Sequence, residues 1–299
     1  MGQNGSVYLF LAALLFVGAQ ARFVADPPHA CDDCPVWNKP REPFKVYGNT
    51  YYVGTQGLSA LLVTSDAGHV LLDAGLTQSA PLILDNIRRL GFRPEDIKWI
   101  LVSHGHFDHA GGVNAIQRYT GATAAASVKT AEALYRGENT PDDPQFAFGK
   151  AFNGFPPVRK LNGLADLGYV QIGDDVIVAH VIRGHSPGST AYTWKSCENG
   201  KCLNIVYADS LTPVSAPGFK YGKQGLDTFR FGIQRVADLP CDIVLSPHPQ
   251  FTQVDQKLKR RAELKAGEPD PFIDPDGCKA YAADGLKRLE ARIFEESKQ

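Results

Sequence analysis

Residues 101–112, LVSHGHFDHAGG, decide how the rest of the chain is read. Three histidines and one aspartate fall within six residues: His104, His106, Asp108 and His109, straight after an apolar run. The whole chain has 8 histidines, so this crowding is not a background of composition. Just past a strand, side chains at i and i+2 point the same way, so His104 and His106 can share one metal ion. Asp108 and His109 come where the chain turns and can aim at a second point nearby. Gly105 permits a tight backbone path, and Gly111-Gly112 lets the next helix begin close to the cluster. Upstream, Asp96 to Ser103 reads as a buried strand. Ser79 to Leu90 reads as a helix, with Ser79 as N-cap, Pro81 in the first turn and Gly91 as the stop. This strand–helix–strand unit delivers the cluster at a strand's C-terminal end, a common place for α/β active sites.

Working outward, Val46 to Gly54, Leu58 to Ser65 and His69 to Asp73 read as successive strands, with a turn at 65–68. Ala110 to Tyr119 and Val128 to Arg136 read as helices around a short strand, Ala122 to Ala126. Residues 137–163 are rich in Pro, Gly and Asn and read as one long loop, of the kind that is functional or mobile. Its Phe146, Phe148, Phe152 and Phe155 fit either an apolar lid over a groove or a surface loop burying its own aromatics. Strands resume at 170–172, 176–181, 190–195 and 203–207. A helix at 224–238, a strand at 243–245 and an amphipathic helix at 279–296 close the chain. Each half runs strands and then helix, which predicts an α/β fold with two facing sheets and helices outside. The expected organisation is a signal segment at 1–21, an extended Pro-rich arm at 22–45 and one catalytic domain at 46–299.

The 299 residues are 43% hydrophobic and 21% charged, an ordinary globular composition. Net charge is -1 and the pI about 6.7, so no basic field draws in nucleic acid. Val7 to Val17 is apolar and Ala19-Gln20-Ala21 is a small-x-small cleavage site, which reads as an export signal cut near Ala21. The run is too short to span a bilayer comfortably, and no cysteine offers a lipid anchor. A periplasmic or secreted location follows, where disulfides persist. The six cysteines allow 15 pairing schemes, and spacing alone does not choose. Asn199-Gly200 is a hairpin-turn signal that could bring Cys197 and Cys202 together. Cys241 could then reach Cys278. Cys31 and Cys34, in CDDC, read as a structural clip rather than a redox pair, because no strand–helix–strand unit follows directly.

Two further histidines stand just after apolar strands: His185 in RGHSPGST and His248 in SPHP. Asp209 and Ser210 follow NIVYA in the same way. His29, His69 and His180 read as structural. Two-metal hydrolysis needs this many donors, with a position left open for water.

HGHFDHAGG, followed in order by GHSPGST, ADSLT and SPHP, resembles the metallo-β-lactamase superfamily over about residues 45–295. LTPVSAPG, DIVLSPHP and the Cys241/Cys278 pair make the resemblance strongest to class B enzymes of subclass 3. The resemblance implies an αββα sandwich. It implies one zinc held by His104, His106 and His185, and a second by Asp108, His109 and His248. The implied reaction is opening of the β-lactam ring of penicillins, cephalosporins or carbapenems by a metal-generated hydroxide, which confers antibiotic resistance. Asp108 would also orient the water. Ser210 with Thr212 or Ser215 would bind the substrate carboxylate. Asp73 is a candidate for fixing a metal-bound imidazole, or else a plain turn cap. The expected partner is a small β-lactam, with no nucleic acid, no stable membrane anchor and a monomeric chain. Lactonase, thioesterase and phosphodiesterase relatives share the metal motif; in the latter two, the aspartate at position 209 normally bridges the metals. Asp209 facing the donors would favour those relatives, and Asp209 turned away would favour the lactamase. A secreted metal-binding protein without turnover is the non-enzymatic alternative.

Overall fold

The computed structural model describes residues 22–298; the expected export signal at 1–21 lies outside the described residues. Twelve strands form two sheets. The first runs β1 (Phe44–Tyr47), β2 (Thr50–Tyr52), β3 (Leu61–Ser65), β4 (Gly68–Leu72), β5 (Ile97–Leu101), β6 (Thr123–Ser127) and β7 (Leu161–Leu164), in that spatial order. It is antiparallel from β1 to β4 and parallel from β4 to β7. The second holds β8 (Tyr169–Ile172), β9 (Asp175–Val181), β10 (Thr190–Glu198), β11 (Lys201–Tyr207) and β12 (Ile243–Leu245). It is antiparallel except for the parallel β11–β12 pair.

The two sheets enclose one apolar layer that includes Tyr52, Leu72, Leu101, Tyr192, Trp194 and Leu245. Helices α2 (Ala80–Arg89) and α4 (Val113–Thr120) bury Ile83, Ile87 and Ile116 against the outer face of the first sheet. Helices α7 (Lys223–Asp238) and α9 (Gly277–Ser297) do the same for the second, through Phe229, Ile233, Tyr281 and Leu289. The expected αββα order is therefore present. Strand β4 has all five residues buried, as a strand covered on both faces should. Polar side chains also bridge the sheets: Trp194 Nε1 donates to Thr50 Oγ1 (2.9 Å), and Tyr192 Oη to the Val102 carbonyl (2.9 Å).

Several boundaries differ from the sequence expectation. The single strand expected at 46–54 is two, because the chain turns at Gly48-Asn49, where Gly48 has φ +52°. The arm at 22–45 is not wholly extended: it contains a helical turn, α1 (Cys34–Trp37), and β1 begins before its expected end. Ser79 does not cap α2. A 3-10 turn at Thr77–Ser79 precedes that helix, and Ser79 Oγ instead accepts from the Leu76 amide (3.0 Å) and donates to Asn38 (2.7 Å). The helix expected at 110–119 is split: α3 (Phe107–Ala110) starts inside the histidine motif and α4 follows the two glycines. The loop at 137–163 carries a 3-10 turn at Phe146–Phe148, α6 (Lys150–Asn153) and the first residues of β7. Phe155 is buried in the core, whereas Phe146, Phe148 and Phe152 remain exposed. Helix α5 (Val128–Arg136) has the expected bounds, and a further helix, α8 (Val254–Ala262), follows β12.

All three cysteine pairs are joined: Cys31–Cys34, Cys197–Cys202 and Cys241–Cys278. Cys197 and Cys202 are register partners across β10 and β11, as the Asn-Gly turn requires. No helix among the described residues is long and apolar enough to cross a membrane.

Gly112 shows how closely the motif is docked. A Cβ there would lie 2.3 Å from the Ala74 carbonyl oxygen, a backbone atom that cannot swing aside. Gly112→Ala is expected to cost about 3 kcal/mol through overpacking, read as a lowered urea midpoint. An unchanged midpoint would show that the strand end after β4 and the motif helix are not packed this tightly.

Candidate metal centre

The ends of β4, β5, β9, β11 and β12 gather at one rim of the sandwich. Asp73 follows β4, the His104–His109 motif follows β5, His185 follows β9, Asp209 follows β11 and His248 follows β12. The ends of these five strands supply the six candidate donors together with Asp73 and Asp209, each strand holding its direction rigidly.

Donor atoms of His104, His106 and His185 lie within 4.8 Å of one another, and so do those of His104, Asp108 and His109. His248 joins the second group through Asp108: its Nε2 is 3.2 Å from Asp108 Oδ2, and His109 Nε2 is 3.1 Å from the same oxygen. His104, His106, His109 and His185 are buried. The sequence-predicted set of six is therefore brought together.

Three of the rings are fixed from behind. His104 Nδ1 meets Asp209 Oδ1 at 2.7 Å, His106 Nε2 meets Asp143 at 3.0 Å and His185 Nδ1 meets the Thr212 carbonyl at 2.7 Å. A nitrogen bound to an acceptor carries the proton, which leaves the other as the lone-pair donor. That puts the lone pairs on His104 Nε2, His106 Nδ1 and His185 Nε2, of which His106 Nδ1 is met by the Gln145 side-chain amide at 3.4 Å. His104 Nε2, both ring nitrogens of His109 and His248 Nδ1 are buried with no hydrogen-bond partner. Orphaned buried imidazole nitrogens are costly unless a ligand satisfies them, and of these His104 Nε2 and His109 Nε2 lie with the Asp108 carboxylate, a set that suits a divalent cation such as zinc.

The electrostatics divide the set: burial lowers His106 and His109, but Asp143 outweighs it at the first and Asp108 at the second and raises both imidazoles. Burial, with the neighbouring histidines, holds His104 and His185 well below the usual imidazole range, so both are neutral donors. Burial would push the Asp108 carboxyl up, yet His109 and His248 outweigh it and hold it well below its ordinary value. Asp73 is pushed up to about 6 by burial, with His109 and the hydrogen bonds from Ser103 and Tyr207 opposing. It accepts from the Ser103 amide, Ser103 Oγ and Tyr207 Oη, each at 2.7 Å, and lies 3.8 Å from His109 Nδ1. It is thus beside the site and also ties β4, β5 and β11 together.

Both Asp209 oxygens are spent. One accepts from His104 and the Ser210 amide (2.7 Å each), the other from the Thr190 amide (3.1 Å). Asp209 lies on the Nδ1 side of His104 and belongs to neither converging donor group. Ser210 Oγ is buried without a partner. Thr212 is engaged by His185, and Ser215 Oγ donates to the Ala216 carbonyl at 3.3 Å.

Other neighbours were not read from the sequence. Asp143 holds His106, and its signal was present only as the irregular stretch around it. Trp37 lies 5.3 Å from the His248 ring. His29, read as structural, stacks on Phe107 inside the motif at 4.0 Å and also meets Phe152 edge-on. The arm therefore lies against both ends of the donor set.

Comparison with known proteins agrees with this geometry. The metallo-β-lactamase superfamily model matches residues 53–200. The Rm3 metallo-β-lactamase is 45% identical, with a TM-score of 0.85 over 90% of this chain and 100% of that one. MEM-A1, a subclass B3 metallo-β-lactamase from a soil metagenome library, is 41% identical, with a TM-score of 0.83 over 88% and 99%. The N-acyl homoserine lactonase AttM of Agrobacterium fabrum is 31% identical over 191 residues, 53% of this chain and 68% of that protein. The chain belongs to the metallo-β-lactamase superfamily, as a hydrolase most like the subclass B3 enzymes.

Proposed function

We propose that this protein hydrolyses the β-lactam ring of antibiotics with two zinc ions. One would be held by His104, His106 and His185, the other by Asp108, His109 and His248. The observation that carries the reading is Asp209, which is bonded to the back of His104 instead of standing among the donors. Bound zinc would supply a lowered pKa for water and a positive charge beside the scissile carbonyl.

The chain's own residues do the rest. Asp209, Asp143 and the Thr212 carbonyl orient three imidazoles and fix their tautomers. Asp108 stays ionised and can accept a hydrogen bond from the attacking water, holding it in line with the carbonyl. Ser210, whose Oγ is buried and unpartnered, would take the substrate carboxylate together with Thr212 or Ser215. Asp73 restrains His109 from behind. Export to the periplasm or beyond, with a role in antibiotic resistance, is part of the proposal; the three disulfides support it.

A second reading, lactone hydrolysis, is favoured by the likeness to AttM. Purified protein is assayed by absorbance on a carbapenem and a cephalosporin, and on an N-acyl homoserine lactone, with and without a chelator. Lactam turnover that stops on chelation and returns with zinc is expected. Zinc-loaded protein that opens the lactone and neither lactam would replace the first reading by the second.

A further inference from the structure

Asp143 belongs to the segment PDDP at 141–144, and its carboxylate serves more than His106. Oδ2 lies 3.0 Å and Oδ1 3.2 Å from His106 Nε2. Oδ1 also accepts from the Gln145 amide at 2.8 Å and from the Asn139 side chain at 3.2 Å. The residue is buried. From this point two segments are tied in. The Gln145 carbonyl accepts from Asn153 Nδ2 at 2.7 Å, anchoring α6, and the Pro144 carbonyl accepts from the Ala216 amide at 2.9 Å. One carboxylate thus stands between a donor imidazole and the loop that carries Phe146, Phe148 and Phe152. Its neighbour Asp142 is exposed, pairs with Lys129 at 3.1 Å and touches none of these groups.

We propose that Asp143 is a positioning residue that couples the metal site to the loop at 139–153. It holds His106 with Nδ1 turned to the ion, and Oδ1, one of the two oxygens on that ring, also takes the Gln145 amide and the Asn139 side chain and so folds the loop around it. The inference rests on His106 being a metal donor. An imidazole locked by an ion offers Asp143 a fixed partner, so the loop is held; an ordered loop presents Asp143 to the imidazole, so the ion is held. Such coupling is reciprocal by linkage. Loss of a carboxylate behind a ligating histidine costs 10–100-fold in metal affinity as a general rule.

Full-length wild type, Asp143→Asn and Asp142→Asn are compared in two measurements that need no turnover. Zinc affinity is read by competition with a chromophoric chelator. Cleavage within 139–153 by a broad-specificity protease is followed with and without zinc. Asp143→Asn is expected to bind one zinc about 10–100-fold more weakly, and its loop to be cut at the same rate in either condition. Wild type and Asp142→Asn are expected to be cut there only after chelation. Unchanged zinc affinity in Asp143→Asn overturns the proposal, as does wild-type cleavage indifferent to zinc, an arm that depends on no variant folding. Zinc bound with this coupling but no lactam opened would overturn the proposed function and leave this inference standing.

Discussion

Asp108→Asn is expected to lower kcat/KM for β-lactam hydrolysis about 10³-fold. The substitution keeps the side chain's shape and removes its charge. Oδ2 lies 3.1 Å from His109 Nε2 and 3.2 Å from His248 Nε2, so this oxygen joins two rings that come from different sheets. An amide placed there offers a weak donor to the ion and no full charge to the attacking water. The loss then has two parts, weaker zinc binding at the second site and a less ordered nucleophile. Saturating zinc separates them, because only the first part is recovered. Steady-state kinetics on a carbapenem, with zinc content measured on the same sample, reads both. A loss smaller than tenfold at full zinc occupancy would remove Asp108 from the chemistry.

The second large effect concerns stability. Opening the Cys241–Cys278 bridge by a double serine substitution is expected to cost about 4 kcal/mol, against about 2 kcal/mol for Cys197–Cys202. The difference follows from the loops they close, with sequence separations of 37 and 5. The longer loop frees more of the unfolded chain. Cys241 lies between α7 and β12, and Cys278 is the second residue of α9, so the bridge fixes the start of that helix to the second sheet. Tyr281, one turn further on, donates to the Asp209 carbonyl at 2.8 Å. Loosening α9 therefore also loosens the residue that orients His104. Urea midpoints of the two double variants give the comparison, and an equal or smaller loss for the Cys241/Cys278 pair would contradict it.

Much of the site was legible because its chemistry is contiguous. Four donors in six residues leave little room for another reading, and His185 and His248 stand straight after apolar runs that had to be strands. The supporting groups were hidden for physical reasons. Asp142 and Asp143 are adjacent and identical, and only the folded loop buries one and exposes the other. Thr212 holds His185 through its backbone carbonyl, which no side-chain pattern announces. The turn at Gly48-Asn49 was legible, since Gly-Asn between two short apolar runs is itself a hairpin signal, and it was passed over in favour of one longer strand. Strand β7, LNGL, has no buried residue, so it carries no apolar signal. Helix α8 buries only Val254 and Lys257, too little to mark a helical face in the sequence.

The donors come from both halves of the chain, four from the segment after β5 and two from the ends of β9 and β12. The first half, folded alone, would present four donors with nothing opposite them. The set closes only when one sheet is stacked on the other, so uptake of the proposed ions would record that assembly is complete. Mass action then works in the other direction. With zinc bound as proposed, free zinc in the surroundings would enter the folding equilibrium, and each tenfold rise above a site's dissociation constant would add about 1.4 kcal/mol to the hold of one sheet on its neighbour. In a zinc-starved compartment the same chain would be the more easily digested, so the metal supply would set its lifetime as well as its activity.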